Sequence, residues 1–208
     1  MPFDYLASAL VTLFVVVDPI GIVPAFLALT ERFSASARQR IAVRAVFIAG
    51  ITLTAFALVG NWFLEKLGIT LPAFRIAGGL LLFMVAFEMV LGQRTERETA
   101  SAERATEKRV PNIAAFPLAM PLIAGPGAIT ATLLLAGQAE AQPLRLGLLL
   151  AVIAIILSLC LAVFKLGNSI HRLFGTITTI VLSRILGVVL AALAVQYVID
   201  GIREAFKM

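Results

Sequence analysis

Two clusters of proline and glycine lie inside apolar stretches of the chain, and the first carries a carboxylate. Residues 18–24 read Asp-Pro-Ile-Gly-Ile-Val-Pro, and residues 120–127 read Met-Pro-Leu-Ile-Ala-Gly-Pro-Gly. Proline inside a helix removes a backbone donor and clashes with the preceding turn, so both clusters predict an interrupted helix. The amides that begin a helix favour anions, and carbonyls freed at a break can accept from an ammonium group. The chemistry available there suits both ends of a small zwitterion.

Asp18 is the only acidic residue deep inside an apolar run. Because a carboxylate in hydrocarbon is costly, such residues usually face a bundle interior and serve a pathway. We interpret Asp18 as a site for a coupling ion, H⁺ or Na⁺, or for a substrate ammonium group. The alternative is that it only caps a half-helix that begins at Asp18-Pro19. The candidate substrate-binding residues are Asp18, Pro19, Gly21, Gly125, Pro126, Gly127, Thr130 and Arg184.

Two arginines occupy matched positions in later apolar runs, Arg75 and Arg184. Each could bind a substrate carboxylate or pair with Asp18. The alternative is snorkelling to the membrane interface, which we favour for Arg75 because it lies about one turn inside its run. Both interpretations stay open for Arg184.

The elements that position these residues are predicted to be membrane-spanning helices. Hydrophobic residues make up 61% of the 208 residues and charged residues only 14%, against about 25% charged in an ordinary soluble domain. The net charge of +5 lies mostly in short loops, which indicates a membrane surface and not a nucleic-acid partner. The single cysteine and single histidine exclude a cysteine-cluster or histidine-based metal site, and no cofactor is expected.

A span needs about 20 apolar residues, and six stretches qualify, near 5–29, 44–64, 72–91, 113–138, 144–166 and 177–200. The N-terminus lacks the basic region of a signal peptide, so the first stretch should stay in the bilayer. Eleven lysines and arginines fall on the side of the loops after spans one, three and five, and four fall on the other side. By the positive-inside rule, the linker 92–112 should be cytoplasmic and both termini should lie outside.

The two halves of the chain resemble each other. Phe14, Pro19 and Pro24 match Phe116, Pro121 and Pro126 at one offset of 102, and the Arg-Ile-x-Gly of residues 75–78 recurs at 184–187. Halves with three spans each must insert with opposite topology, as in many secondary transporters. The predicted fold is therefore all-α and polytopic, one transmembrane domain over 1–208. Repeat one covers about 1–91 and repeat two about 113–208, with spans one and four broken mid-membrane.

The motif of residues 18–24, the segment 117–130 (Pro-Leu-Ala-Met-Pro-Leu-Ile-Ala-Gly-Pro-Gly-Ala-Ile-Thr), the six spans and the length resemble the MarC family. The resemblance covers essentially the whole chain. It implies a bacterial or archaeal inner-membrane protein that transports or exports small neutral amino acids such as glycine and alanine. It supplies no list of binding residues to transfer.

We therefore expect a secondary transporter, with export as the expected direction, and not an enzyme. No G-x-x-x-x-G-K-[ST] motif for ATP is present. One alternative is a membrane enzyme that acts on a lipid phosphate, which needs an acid, a base and a nucleophile in one pocket. Another is a non-transporting scaffold, which explains the spans but not the paired breaks. The sequence does not indicate the oligomeric state.

Overall fold

The computed structural model describes residues 2–107, 112–139 and 142–206; positions 108–111 of the predicted linker, with Lys108 and Arg109, and the C-terminal Lys207 lie outside them. Every regular element within the described ranges is helical. The helices are α1 (Pro2–Val17), α2 (Val23–Thr30), α3 (Ala35–Lys66), α4 (Leu71–Leu91), α5 (Gln93–Glu107), the irregular segment (Ala114–Ile123), α6 (Pro126–Gln138), α7 (Pro143–Lys165) and α8 (Gly167–Ala205).

Four helices in the described part of the chain are long and apolar enough to cross a membrane: α3, α4, α7 and the Ile177–Ala205 portion of α8. The irregular segment and α6 together qualify as a fifth span, bent by 55°. The first predicted span, near 5–29, is divided between α1 and α2, and neither piece reaches the required length. The fold is thus a multi-pass helical membrane protein with four or five candidate spans.

The first break lies where the proline and glycine pattern places it. Helix α1 ends at Val17, residues 18–22 form a turn, and α2 begins at Val23 with Pro24 in its first turn. Asp18 has a left-handed backbone with φ of 49°, a region in which aspartate is found more often than most non-glycine residues. The prediction that the second half-helix begins at Asp18-Pro19 was wrong by four residues, because its N-cap is Ile22 and not Asp18. The Asp18 side chain accepts a hydrogen bond from the amide of Gly21 and so stabilises a turn instead of a helix start.

The second break has two causes in the local sequence. Phe116 and Met120 have extended backbones inside the irregular segment, because a residue that precedes proline is pushed out of the helical region. Gly125 then provides an extended N-cap, and α6 begins at Pro126. Proline is well suited to the first helical position because its missing donor would have no partner there. The predicted interruption at Gly125-Pro126-Gly127 is confirmed.

Helices α4 and α8 pack closely through glycine. A Cβ atom at Gly79 would lie 2.7 Å from the carbonyl oxygen of Ala194, and one at Gly187 would lie 3.1 Å from that of Ala86. Small residues of this kind let membrane helices approach each other. Helix α5, which belongs to the predicted linker, packs against α2 and α4 and so lies beside the first break.

Candidate functional site

The carboxylate of Asp18 lies in the turn between α1 and α2 and is only 4% exposed. Its Oδ1 accepts from the Gly21 amide at 3.0 Å, and its Oδ2 accepts from the Ser183 hydroxyl of α8 at 2.6 Å. A buried charge is tolerated when hydrogen bonds replace its hydration, and a hydroxyl donating to a carboxylate makes one of the stronger bonds. Asp18 therefore ties the first break to α8.

Gly21 is required for this arrangement. A Cβ atom at this position would lie 2.1 Å from Asp18 Oδ2 and 2.8 Å from Ser183 Oγ. Any larger residue would displace one of the two hydrogen-bonding groups, so the turn permits only glycine while Asp18 and Ser183 stay bonded.

A cavity of about 330 Å³ opens at the second break. Its wall includes Gly125, the N-cap of α6, and the residues Pro126, Gly127 and Ala128 of the first turn. No side chain caps this turn. The amides of the first helical turn have no partner within the helix, and they carry the positive end of the helix dipole. This wall of the cavity is accordingly suited to an anionic group.

Three charged residues of α5 line the same cavity, Arg94, Arg97 and Glu98, and the most buried ion pair among them joins Arg94 to Glu98. Arg94 is 9% exposed, and its Nε donates to Glu98 Oε1 at 2.9 Å. Its Nη2 donates to the carbonyl oxygen of Val16 at 2.8 Å, and its Nη1 contacts the sulfur of Met89 at 3.4 Å. Val16 is in the last turn of α1, where carbonyls lack helical partners. Arg94 therefore satisfies a backbone group that the first break leaves open.

Burial and the nearby charges together leave the pKa values of both members of this pair raised. Burial raises the pKa of the Glu98 carboxyl, and the charge and hydrogen bond of Arg94 oppose that rise without cancelling it. Burial lowers the pKa of Arg94, but the nearby carboxylates of Glu98 and Asp18 outweigh it and the net shift is upward. The guanidinium thus stays ionised, while Glu98 takes up a proton more readily than an exposed glutamate.

The two breaks are neighbours. A Cβ atom at Gly127 would lie 3.2 Å from Val16 Cγ1 and 3.3 Å from Val85 Cγ2, and both valines line the cavity. Val16 precedes Asp18 by two residues. The start of α6 therefore packs against the end of α1, which brings the two breaks together.

The structure separates the residues singled out from the sequence into three places. Asp18, Pro19 and Gly21 are buried in the first turn, and Gly125, Pro126 and Gly127 line the cavity. Thr130 is buried one turn further along α6, with its methyl group against Gly78.

The two matched arginines bond to groups outside both breaks. Arg184 is exposed and donates to the carbonyl of Leu91, at the end of α4, at 3.4 Å. Arg75 forms an ion pair with Glu204. Neither arginine lines the cavity.

Sequence reasoning missed Arg94, Glu98 and Ser183. The first two lie in the predicted linker 92–112, whose interleaved acidic and basic residues are typical of a solvated segment. Within residues 2–107, 112–139 and 142–206, no group of three or more histidine, cysteine or acidic residues is placed to hold a metal ion.

Comparisons with known proteins indicate one family of integral membrane proteins. The profile described as MarC family integral membrane protein matches residues 3–206. UPF0056 membrane protein MJ1677 of Methanocaldococcus jannaschii is 38% identical over 207 residues, which cover 99% of both chains. A UPF0056 membrane protein of Aquifex aeolicus is 34% identical, with 96% of this chain and 93% of the relative covered. UPF0056 membrane protein YhcE of Escherichia coli is 31% identical, with 93% and 90% covered. No solved structure matches the chain.

Proposed function

Because the chain belongs to the MarC family of integral membrane proteins, we propose that it is a secondary transporter that moves small neutral amino acids such as glycine and alanine. The observation that carries the proposal is the cavity of about 330 Å³ at the second break. Ligand sites span about 300–1,000 Å³, so this volume suits a small solute. Backbone that is broken within a membrane needs protein or a polar cavity around it, and this site provides both.

The proposed substrate is a small zwitterion whose carboxylate binds the first turn of α6. Gly127 and Ala128 each contribute an amide without a helical partner. The guanidinium of Arg94 lines the same space. Glycine at positions 125 and 127 leaves the backbone accessible, because no side chain covers the amides.

The proposed architecture is six spans in two inverted repeats. The matched prolines Pro24 and Pro126 both lie in the first turn of a helix, α2 and α6 respectively. Packing contacts also recur in corresponding pairs: α1 packs on α7 as the irregular segment packs on α3, and α2 packs on α8 as α6 packs on α4. Such reciprocity is expected of repeats related by a two-fold axis. In this arrangement the linker is cytoplasmic and both termini lie outside the bacterial or archaeal inner membrane.

Asp18 is the proposed coupling group, for H⁺ or Na⁺. Its two oxygens hold the first turn to α8 through Gly21 and Ser183. Loss of the charge, by protonation or by ion binding, would weaken both hydrogen bonds and release the turn. An ion gradient could in this way drive the release of the turn from α8. The proposed direction of transport is export.

The enzyme alternative would use the same cavity for a phosphate group. Arg94, Arg97 and the start of α6 offer anion-binding groups, and Ser101 offers a hydroxyl. Hydrolysis also needs a base positioned on the nucleophile, and Glu98 is instead bonded to Arg94. We therefore favour transport, and a phosphatase assay on the purified protein separates the two functions.

Counterflow in proteoliposomes tests the proposal. Vesicles loaded with unlabelled glycine, alanine, serine or threonine should accumulate the labelled amino acid transiently, with and without a pH gradient. Asp18→Asn should keep exchange but lose its response to the gradient. Gly127→Val should lose exchange, because its side chain is directed at Val16 and Val85 in the wall of the cavity. A scaffold would be indifferent to Gly127→Val, and absence of exchange for all four amino acids would contradict the proposal.

A further inference from the structure

We propose that the Arg94–Glu98 pair of α5 reads both charges of the solute and so selects molecules that carry a carboxylate and an ammonium group. The inference rests on the proposed transport function and assigns the charge selectivity of its site. It places the selective groups on the linker helix and not on the repeats themselves.

Each member of the pair lines the cavity and keeps unused bonding capacity. Glu98 uses Oε1 for Arg94, and no other hydrogen bond to its carboxylate occurs within the described residues. Arg94 uses Nε and Nη2 for oxygen acceptors, but its Nη1 reaches only the sulfur of Met89. Sulfur is a weak acceptor, so Nη1 can serve a better one. A carboxylate between Arg94 and α6 and an ammonium group on Glu98 would complete both bonding sets.

The charge balance of the pair favours a neutral dipolar ligand. Arg94 and Glu98 together carry no net charge, and the side chains of both are about 90% buried. The third charged residue of the cavity wall, Arg97, forms its own ion pair with Glu88. A ligand of one sign would add an unbalanced charge to a poorly hydrated site, which is costly. A zwitterion adds none and can lie antiparallel to the pair. The pair should therefore bind neutral amino acids in preference to acids or amines.

The packing of α5 fixes the pair in place. Arg94, Glu98, Ala102 and Ala105 are spaced by four, four and three residues and form one face of the helix. The two alanines on this face are buried, and α5 packs against α2. The pair is therefore held by a rigid element, as a selective site requires.

Isothermal titration of the purified protein in detergent tests the inference with three probes. Glycine carries both charges, glycolate replaces the ammonium group by a hydroxyl, and glycinamide lacks the carboxylate. The wild type should bind glycine at least about tenfold more tightly than either analogue, the effect of one charged hydrogen bond. Glu98→Gln should lose that advantage over glycolate by weakening glycine alone, whereas Glu98→Asp, which keeps the charge, should retain part of it.

The matched controls are Glu96→Gln and Glu103→Gln, which remove exposed carboxylates from the same helix and should leave all three affinities unchanged. Equal binding of glycine by the wild type and Glu98→Gln would overturn the inference, as would equal weakening of glycine and glycolate or no binding of glycine by the wild type. Normal titration results without counterflow would refute transport alone and leave the charge selection standing.

Discussion

Replacing Arg94 by methionine should destabilise the protein strongly, and a second replacement at Glu98 should restore part of the loss. The single variant removes the donor to Glu98 and the donor to the carbonyl of Val16. Breaking a buried ion pair at one side costs about 3–5 kcal/mol, because the remaining charge is left without compensation. We expect a loss in that range for Arg94→Met at neutral pH.

The double variant Arg94→Met/Glu98→Met leaves only the Val16 carbonyl without its donor. An unsatisfied buried backbone group costs about 1–3 kcal/mol, and an apolar pair of similar volume often replaces a buried ion pair without loss. The double variant should therefore be more stable than the single variant, although it carries one more substitution.

The free energy of unfolding can be measured by SDS titration in mixed micelles, followed by far-UV circular dichroism. Arg97→Met is the matched control on the same helix. Its partner is Glu88, and the two side chains are 62% and 27% exposed. An exposed pair contributes about 1 kcal/mol or less, so this variant should change stability little.

Acidification gives a second test of the same reasoning. Without Arg94, the contribution that opposes the raised pKa of Glu98 is lost, so the pKa rises further. A carboxyl whose pKa is raised in the folded state stabilises the fold at low pH and loses that contribution as pH rises through the folded value. Arg94→Met should recover stability as pH falls toward about 4.3, the ordinary glutamate value. Equal losses for Arg94→Met and Arg97→Met, or an additive double variant, would refute the account of the pair.

Three further outcomes are expected. Gly21→Ala places a Cβ atom 2.1 Å from Asp18 Oδ2 and should separate Asp18 from Ser183, so that counterflow persists but loses its response to a pH gradient, as in Asp18→Asn; an unchanged response would show that the turn does not carry the coupling. Binding of glycine should weaken as pH falls, because the raised pKa of Glu98 lets it take a proton and lose its charge; titrations at stepped pH should show this in the wild type but not in Glu98→Gln. Arg184→Gln should leave the exchange rate within about twofold of the wild type, as is usual for surface substitutions, since Arg184 is exposed and bonds to the end of α4. A large loss of exchange would show that Arg184 contributes to the substrate site.

The positions of the two breaks could be predicted because their causes are local. Proline and glycine act on the backbone of their own turn, so residues 18–24 and 120–127 were sufficient. The start of α2 was misplaced because the oxygens of Asp18 bond to Gly21 and Ser183. Ser183 is 165 residues away in the chain, and nothing in the first motif indicates it.

Arg94 and Glu98 were missed because a mixed-charge segment is usually solvated. The helical spacing of Arg94, Glu98, Ala102 and Ala105 was visible in the sequence. Whether that face is buried depends on α2, a helix whose position relative to α5 is set by tertiary packing. The match of Arg75 with Arg184 was also visible, but repeat symmetry alone does not decide whether a side chain points into a bundle or out of it.

Equilibrium binding of labelled glycine to a cavity-filling variant tests the location of the site most directly. Gly127→Val adds a side chain toward Val16 and Val85, whereas Gly147→Val adds the same side chain to α7, where no atom lies within 4 Å of the new Cβ. Gly147→Val should bind glycine as the wild type does, and Gly127→Val should lose saturable binding while staying folded. Undiminished binding by folded Gly127→Val would contradict the assignment of the solute to this cavity.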